Sequence, residues 1–434
     1  MLRVRTHVVD SVAAGRGGFQ GGALTLDLER LRSTVLDDPR IADAHLDLVR
    51  PGEAARVVNV LDIFDARKKV DGPTYPGIDG APVATGHGEL HRFGNFQIVE
   101  TGTPPTGEGG LMVARRAFID FWGNGAAWSP FSGAHTLVLD LEFHPSLTDK
   151  VAVDDSARRA LVAVSTAIGS IALDGADEGQ VDEFRGSWER RGVEGLPRIA
   201  YVYQVQSQGT LVDTFLYGSA VAGLYPTLID PVEILDGALV SGNHQRVTTP
   251  TFLHCNNPVL LRLLAEAGER VNLLPVVLME GHHKTTPAKQ RSADHAVQLL
   301  RYLRADGAVF TQEGGGMSIV DQMLTIAGAR NVGIECVALT YEMAGTEGTD
   351  RPLIFYTRAA KNLVSTGNRD ELVHLEAPER VVGRSQTGSP RGTSGRSTEA
   401  SESADVTGEL DVPLWVLYGA VSQVGAGRAR AHSA

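Results

Sequence analysis

Residues 305–342 read ADGAVFTQEGGGMSIVDQMLTIAGARNVGIECVALTYE, and this stretch decides the fold class. An apolar strand pattern (ADGAVFTQ) is followed by a helical pattern (SIVDQMLTIAGAR) and then by a second strand pattern (VGIECVALTYE). Strands that alternate with helices in this way are typical of a parallel sheet covered by helices on both faces. This stretch therefore predicts an α/β fold.

The same alternation extends outward in both directions. RVNLLPVVLME (270–280), RIAYVYQVQS (198–207) and HTLVLDLEFHP (135–145) read as strands. PAKQRSADHAVQLLRYLRA (287–305) and Asp154–Ile171 have helical spacing of apolar residues. Before residue 135, β-like pieces between Gly and Pro surround one predicted helix, LDLERLRSTVLDD (26–38).

The length of the chain predicts two domains. Its 434 residues exceed the ~250–300 residues that one hydrophobic core supports. We expect a β-rich N-terminal elaboration and an α/β domain over residues 1–247, and a Rossmann-like α/β domain over residues 248–434. Mostly parallel sheets flanked by helices are expected in both.

Three segments near the C-terminus carry weaker signals. PLIFYT (352–357) reads as a short strand, and VPLWVLYGAVSQVG (412–425) as a helix-like segment that docks onto the body. Between them, residues 385–405 are reduced to Ser, Gly, Thr, Arg and Glu. Such a composition buries too little apolar surface to offset its ordering entropy, which predicts a disordered insertion.

Composition excludes several functional classes. The net charge of −12 disfavours a nucleic-acid binder, which needs a basic face. No apolar run reaches the ~18 residues of a membrane helix. The N-terminal MLRVRTHVVDSVAAGRGG lacks the apolar segment of a secretory signal, and the two cysteines, Cys255 and Cys336, lie far apart in sequence. These features predict a cytoplasmic protein in a reducing compartment.

One strand-end loop carries two histidines. In an open α/β sheet, ligands bind beyond the carboxyl ends of the strands, and EGHHKTT follows such a strand. His282 or His283 would transfer a proton to a leaving amine, and Lys284 would hold a substrate carboxylate. The alternative is a polar loop that caps the next helix. Adjacent histidines point in different directions, so no metal site is expected here.

Two further loops and one strand carry candidate residues. A loop with Glu313, Gly314 and Gly315 lies between a strand and a helix. Its backbone N–H groups would bind an anion, or its glycines would form a tight turn. Glu342 would be an acid/base group or a solvated loop carboxylate. Tyr201 and Tyr203 alternate on a strand and share one face, where they would line a cavity or pack in a half-buried strand.

An ordered set of segments is similar to one known family. The segments are TYPGIDG, FGNFQIVETG, WSPFSGAHTLVLDLE, RIAYVYQVQSQGTLVDTFLYG, YPTLIDPVEILDGALVSGN, CNNPVL, ADGAVFTQEGGG, VSTGN and LYGAVSQVG. From about residue 70 to the end, the chain resembles the proprotein substrate subunit of glycine/sarcosine/betaine reductase component B. The proprotein of D-proline reductase is related.

The resemblance implies a function and a partner. Family members cleave themselves at an internal cysteine downstream of the segment matching DGALVSGN, which leaves a pyruvoyl group. Together with a subunit that carries a selenocysteine or cysteine, they break the C–N bond of a small amine or amino acid. The resemblance therefore implies an oxidoreductase subunit of amino-acid metabolism that works in a hetero-oligomer, with a Schiff-base-forming carbonyl as its cofactor.

This sequence departs from the family at the cleavage position. The residues after SGN are HQRVTTPTFLHCNNP, and the family cysteine aligns near Thr248. Three alternatives follow: the chain is not cleaved, Cys255 is the cleavage residue and yields pyruvoyl, or Thr248 or Thr249 is and yields 2-ketobutyryl. The first is preferred, so the sequence predicts a protein without the usual cofactor. It then acts as the substrate-side subunit, as a non-catalytic structural subunit, or as a repurposed enzyme of specialised metabolism.

Overall fold

A computed structural model describes residues 1–102, 117–174, 179–207, 213–242, 249–383, 405–428 and 430–431. Within these ranges the protein is a mixed α/β fold in which sheets containing parallel strands are flanked by helices. The predicted fold class is therefore confirmed. The predicted insertion at 385–405 lies outside the described residues, except for Asp405 at its end.

The first half of the chain is rich in short strands. They are β1 (Leu2–Val8), β2 (Ser11–Ala14), β3 (Gly18–Gln20), β4 (Ala23–Leu26), β5 (Ile41–Val49), β6 (Ala55–Val58), β7 (Val60–Phe64), β8 (Arg67–Lys69), β9 (Gly88–Gly94), β10 (Phe96–Thr101), β11 (Phe118–Asp120), β12 (His135–Phe143) and β13 (Gln180–Phe184). This confirms the β-rich N-terminal elaboration.

The remaining strands follow residue 197. They are β14 (Arg198–Val205), β15 (Phe215–Leu216), β16 (Ser219–Ala220), β17 (Thr227–Ile229), β18 (Leu239–Val240), β19 (Asn272–Leu273), β20 (Val276–Glu280), β21 (Gly307–Gln312), β22 (Glu335–Glu342), β23 (Leu363–Asn368), β24 (Leu372–Leu375), β25 (Arg380–Val382), β26 (Leu410–Pro413) and β27 (Arg430–Ala431).

The helices differ widely in length. They are α1 (Leu28–Leu36), α2 (Pro76–Asp79), α3 (Gly123–Ala126), α4 (Lys150–Asp174), α5 (Pro231–Leu235), α6 (Thr251–Cys255), α7 (Pro258–Ala265), α8 (Thr286–Tyr302) and α9 (Met317–Asn331), with 3-10 turns at Pro82–Ala84, Ser187–Glu189 and Leu414–Val416. No helix in the described ranges is long and apolar enough to cross a membrane.

One eight-stranded sheet forms the centre of the molecule. Its order is β17-β20-β14-β21-β22-β23-β27, and β19 also pairs with β14. Strands β20, β14, β21, β22 and β23 are mutually parallel, whereas β17 and β27 pair antiparallel at the edges. Helices α8 and α9 pack on one face, while residues of α6 and α7 share a core cluster with the tyrosines of β14.

The other sheets are smaller. Two four-stranded sheets, β13-β1-β9-β8 and β5-β12-β10-β7, belong to the N-terminal region, and α4 packs against strands of both. The sheets β11-β6-β25, β16-β15-β18, β2-β4-β3 and β24-β26 complete the set in the described residues. Strands that precede residue 248 (β14 and β17) and strands that follow it belong to the same central sheet. The division into domains at that residue stays a prediction.

Two predicted elements are wrong. PLIFYT is not a strand: Ile354, Phe355 and Tyr356 lie in an exposed loop between β22 and β23. VPLWVLYGAVSQVG is buried against the body as expected, but it is not an α-helix, because Gly419 has a φ of +78° and the Tyr418 N–H donates to the Phe118 carbonyl. Tertiary hydrogen bonds thus replace the helical ones.

Candidate functional site

Four parallel strands bring their carboxyl ends to one edge of the central sheet. In register, Val205 of β14 pairs with Glu280 of β20, and Gln204 pairs with Gln312 of β21. The loops EGHHKTT, QEGGGMS and TYEMAGTEG leave this edge, as the sequence predicts. The edge therefore gathers polar side chains that are far apart in sequence.

A buried chain of polar contacts runs along this edge through Tyr203, His254 and Glu313. The Tyr203 hydroxyl lies 2.8 Å from Nδ1 of His254, and Nε2 of the same ring lies 3.2 Å from Oε1 of Glu313. The side chains of His254 and Glu313 are completely buried. The contact between Nε2 and Oε1 is an ion-pair distance and not a hydrogen bond, and the tautomer of His254 decides whether Nδ1 accepts from the phenol or donates to it.

The Glu313 carboxylate is held in a fixed orientation. Its Oε2 accepts hydrogen bonds from the Gln206 N–H (2.7 Å) and from the Thr214 hydroxyl (2.6 Å). Both hydrogen-bond donors face Oε2, while Oε1 faces Nε2 of His254 at ion-pair distance. A histidine aligned by a carboxylate and bonded to a hydroxyl is an arrangement that transfers protons in enzymes.

The phenols of this site stay protonated at neutral pH. Burial and then the Glu313 carboxylate raise the pKa of Tyr203 well above its ordinary value, and a hydrogen bond with Thr249 opposes the shift in part. Tyr201 stacks on Tyr203 with ring centroids 5.4 Å apart. Its hydroxyl lies 2.5 Å from Thr311 Oγ1 and accepts from the Asn257 amide at 3.0 Å. The site thus presents proton donors.

The segment 243–248 begins and ends beside this network. Thr248 lies outside the described residues, but both flanks are fixed. The Ser241 N–H donates to Thr251 Oγ1 (3.0 Å), and the Thr251 N–H and hydroxyl donate to Asp62 (2.9 and 2.7 Å). Burial raises the pKa of Asp62 to about 6, against the opposing hydrogen bonds from Thr251.

Cys255 lies apart from this network. It is the last residue of α6, is 1% exposed and packs in a different core cluster from that of Tyr203. Burial raises the pKa of its thiol to about 12, although Arg67 opposes the shift. Successive residues of a helix face different directions, which sends His254 towards the sheet and Cys255 away from it.

The two predicted histidines have different surroundings. His282 has a φ of +64°, and its Nε2 donates to the Gly315 carbonyl at 3.1 Å. Burial lowers the pKa of this imidazole. His283 is half-buried, with Nδ1 2.9 Å from Asp321 Oδ1 and Nε2 3.7 Å from Glu280 Oε2. Both lie at the predicted sheet edge.

A buried lysine and an exposed one flank His283. Lys289 of α8 is buried and donates to Asp321 at 2.5 Å. Lys284, which the sequence singles out as a carboxylate-binding residue, is exposed. Glu342 is half-buried at the end of β22, where it pairs in register with Asn368.

The glycine loop is shaped by close packing. A Cβ on Gly314 (φ +70°) would lie 2.7 Å from the His282 ring, and one on Gly315 would lie 1.3 Å from the Tyr341 hydroxyl. Helix α9 begins directly afterwards, at Met317. Tight packing is therefore one reason for the glycines, and anion binding at this loop stays a prediction.

Comparison with known proteins identifies the family. The profile described as glycine/sarcosine/betaine reductase component B subunits matches residues 2–432. The chain belongs to this family. No solved structure matches the protein.

Three relatives from Peptoclostridium acidaminophilum show the extent of the similarity. The glycine reductase complex component B subunits alpha and beta are 29% identical over 416 residues, covering 94% of each chain. The sarcosine reductase complex component B subunit alpha is 30% identical over 370 residues (83% of this chain, 84% of the relative). The betaine reductase complex component B subunit alpha is 31% identical over 400 residues (90% and 89%).

Sequence reasoning missed His254. In the sequence, the segment around His254 draws attention to the neighbouring thiol of Cys255 as a possible cleavage residue. His254 itself reads as an ordinary residue of a short helix. A signal was present in the strand ends: Tyr201, Tyr203 and Glu313 are polar residues in otherwise apolar strands. Buried polar groups need hydrogen-bonding partners. Polar residues in these strands therefore indicate that a polar side chain from another part of the chain packs against them.

Proposed function

We propose that the protein is the substrate-side subunit of a reductase complex of the component B kind. In this role it breaks a C–N bond, or a related C–X bond, of a small amine or amino-acid-like substrate. The contact chain Tyr203–His254–Glu313 at the carboxyl edge of the sheet is the observation that carries the proposal. The names of the relatives, which are subunits of glycine, sarcosine and betaine reductase complexes, give the reaction class.

The contact chain has a defined chemical task in this proposal. When the C–N bond of a neutral primary or secondary amine breaks, the electron pair remains on nitrogen, which must take up a proton as the amine leaves, whereas a quaternary amine leaves without one. In the proposal the Tyr203 hydroxyl gives its proton to the departing nitrogen, the Nδ1–H of a protonated His254 replaces that proton, and the facing Glu313 carboxylate stabilises the imidazolium charge. Positioned proton transfer of this kind contributes about 10²–10⁴-fold to a rate.

A separate subunit supplies the reducing group in this proposal. Cys255 and Cys336 are both buried free cysteines, and burial raises the pKa of each thiol to about 12. Because the thiolate is the nucleophile, neither thiol suits attack on a substrate at neutral pH. We therefore assign the attacking selenolate or thiolate to a Sec- or Cys-bearing partner, in a hetero-oligomer located in the cytoplasm.

Other residues at the sheet edge have subsidiary roles in the proposal. His282 and His283 are further proton-transfer candidates, and the loop Glu313–Gly315 before α9 would hold a substrate carboxylate, with Lys284 and Glu342 at the rim. The exposed position of Lys284 supports a role in capture rather than in chemistry.

The chain works, in our proposal, without a pyruvoyl group made from cysteine. Cys255 does not fit that role, because its protonated thiol is buried in an apolar cluster at the end of a helix. Intact mass measurement of freshly purified protein, before and after borohydride treatment, tests this. One species near 46.3 kDa is expected. Two fragments, one with a reducible ketoacyl terminus, would contradict it and point to Thr248, Thr249 or Cys255.

Replacing His254 tests the proposed function. In a complex with a co-expressed Sec- or Cys-bearing subunit, amine release from glycine or sarcosine should fall by about 10²–10⁴-fold in His254→Gln. His135→Gln is the matched control, because His135 is also buried and, within the described residues, its ring makes one hydrogen bond, from Nε2 to the Asp10 carbonyl at 3.1 Å. Equal activity in both variants would refute a catalytic role for the contact chain and favour a structural subunit.

A further inference from the structure

A second group of ionisable side chains lies far from this site, on the edge strand β5. Strand β5 pairs antiparallel with β12, and Asp43 lies opposite Glu142 in register while His45 lies opposite Asp140. Because side chains alternate along a strand, Asp43, His45 and Glu142 share one face. The opposite face, with Ala44, Leu139 and Leu141, belongs to the core.

The three side chains converge on one point. One ligand-type atom from each of Asp43, His45 and Glu142 lies within 4.8 Å of the others. No other group of three His, Cys, Asp or Glu residues in the described parts of the chain meets this criterion. A tetrahedral ion with ligands at ~2.0–2.2 Å holds them about 3.3 Å apart, so small rotations of exposed side chains close the site.

Arg32 fixes the orientation of the Asp43 carboxylate. Its Nη2 donates to Asp43 Oδ1 at 2.6 Å, and its Nε donates to the Ala44 carbonyl at 3.1 Å. The other carboxylate oxygen, Oδ2, faces His45 Nε2 at 3.7 Å. Partners that fix one atom of a ligand and leave the other directed at the ion are typical of metal sites. The hydrogen bond from Arg32 also keeps the pKa of Asp43 below its usual range.

We propose that Asp43, His45 and Glu142 form a binding site for a divalent transition-metal ion of the Zn²⁺ class. One imidazole nitrogen and two carboxylate oxygens suit Zn²⁺ and its neighbours better than Mg²⁺ or Ca²⁺, which prefer oxygen alone. The His45 side chain is 62% exposed, so the ion enters from solvent and water completes its shell. Because its ligands come from both strands, the ion would link the edge strand β5 to β12. The proposal is independent of the proposed reaction.

Calorimetric titration of the full chain with Zn²⁺ tests the site. Wild type should take up a saturable equivalent of Zn²⁺ that is lost in His45→Asn, with at least a tenfold loss of affinity. His374→Asn is the matched control: His374 is 53% exposed and lies 3.1 Å from Asp411, but belongs to no such group of three.

A second measurement separates the site from adventitious binding. Zn²⁺ should raise the melting temperature of wild type and of His374→Asn, and leave that of His45→Asn unchanged, because only the first two keep the ion on the folded state. Absence of a saturable equivalent in wild type, or identical binding in His45→Asn and wild type, would overturn the proposal.

Discussion

Replacing Asp62 with asparagine should remove a component of the pH dependence of stability. Asp62 is buried and accepts hydrogen bonds from Thr251, and burial raises its pKa from 3.8 to about 6. The folded chain therefore holds this proton more tightly than the unfolded chain does. The stabilisation from protonation is complete below pH 3.8 and is lost as the pH rises through about 6.

The size of the effect follows from the two pKa values. Linkage with 3.8 in the unfolded chain and about 6 in the folded chain gives a loss of about 1.4 kcal/mol in the free energy of unfolding of wild type between about pH 5 and pH 8. Asparagine stays neutral and keeps an oxygen for the Thr251 N–H. The stability of Asp62→Asn relative to wild type should therefore rise by about 1.4 kcal/mol over this range.

Urea unfolding followed by tryptophan fluorescence measures this difference at the two pH values. Asp405→Asn serves as control, because hydrogen bonds from Thr407 lower the pKa of Asp405 and its titration is complete below the range used. Its difference from wild type should stay constant. If the stability of Asp62→Asn minus that of wild type stays constant or falls as the pH rises, the buried Asp62 carboxyl does not hold its proton as described.

Three other substitutions test separate parts of the site. Cys255→Ala should leave the chain in one piece and its partner-dependent activity within about twofold of wild type; fragments in wild type that disappear in this variant, seen by mass spectrometry, would make Cys255 the cleavage residue. Tyr203→Phe should lower amine release by about 10²-fold with little change in KM; unchanged steady-state kinetics would exclude a proton-donating phenol. Gly242→Ala should lower the yield of soluble protein and its melting temperature, because the new Cβ would lie 1.6 Å from the Asp213 carbonyl oxygen.

Much of the fold follows from the sequence where the pattern is regular. Strands β12, β14, β21 and β22 and helices α1, α4, α8 and α9 lie within a few residues of the predicted spans. The apolar periodicity of these segments depends only on burial against one neighbouring layer. The exception in this region is 270–280, predicted as one strand, where Leu274 and Pro275 separate β19 from β20.

The rest of the fold depends on tertiary contacts, which cannot be predicted from the local pattern of apolar and polar residues. The segment around Tyr418 is as apolar as a buried helix, yet its hydroxyl donates to the Leu61 carbonyl at 3.0 Å and its carbonyl accepts from the Ser129 hydroxyl at 2.7 Å. The exposed Ile354 and Phe355 show the opposite case, in which an apolar run lies in a loop.

The sequence predicts where the candidate site lies in the fold, but it does not predict all the residues that form the site. Parallel strands must end at one edge, so the positions of Glu313 and His282 at that edge are predictable. His254 could not be predicted, because it reaches the edge from α6, about fifty residues after Tyr203 in the chain, and only packing places it against that tyrosine. The role of the adjacent Cys255 in cleavage stays a prediction.

Amine release should be measured for the chain alone, for a Sec- or Cys-bearing partner subunit alone, and for the two together. With glycine, sarcosine or betaine and a dithiol reductant, release is expected only when both subunits are present. Turnover by the purified single chain would contradict this expectation, since a stand-alone enzyme needs no external selenol or thiol.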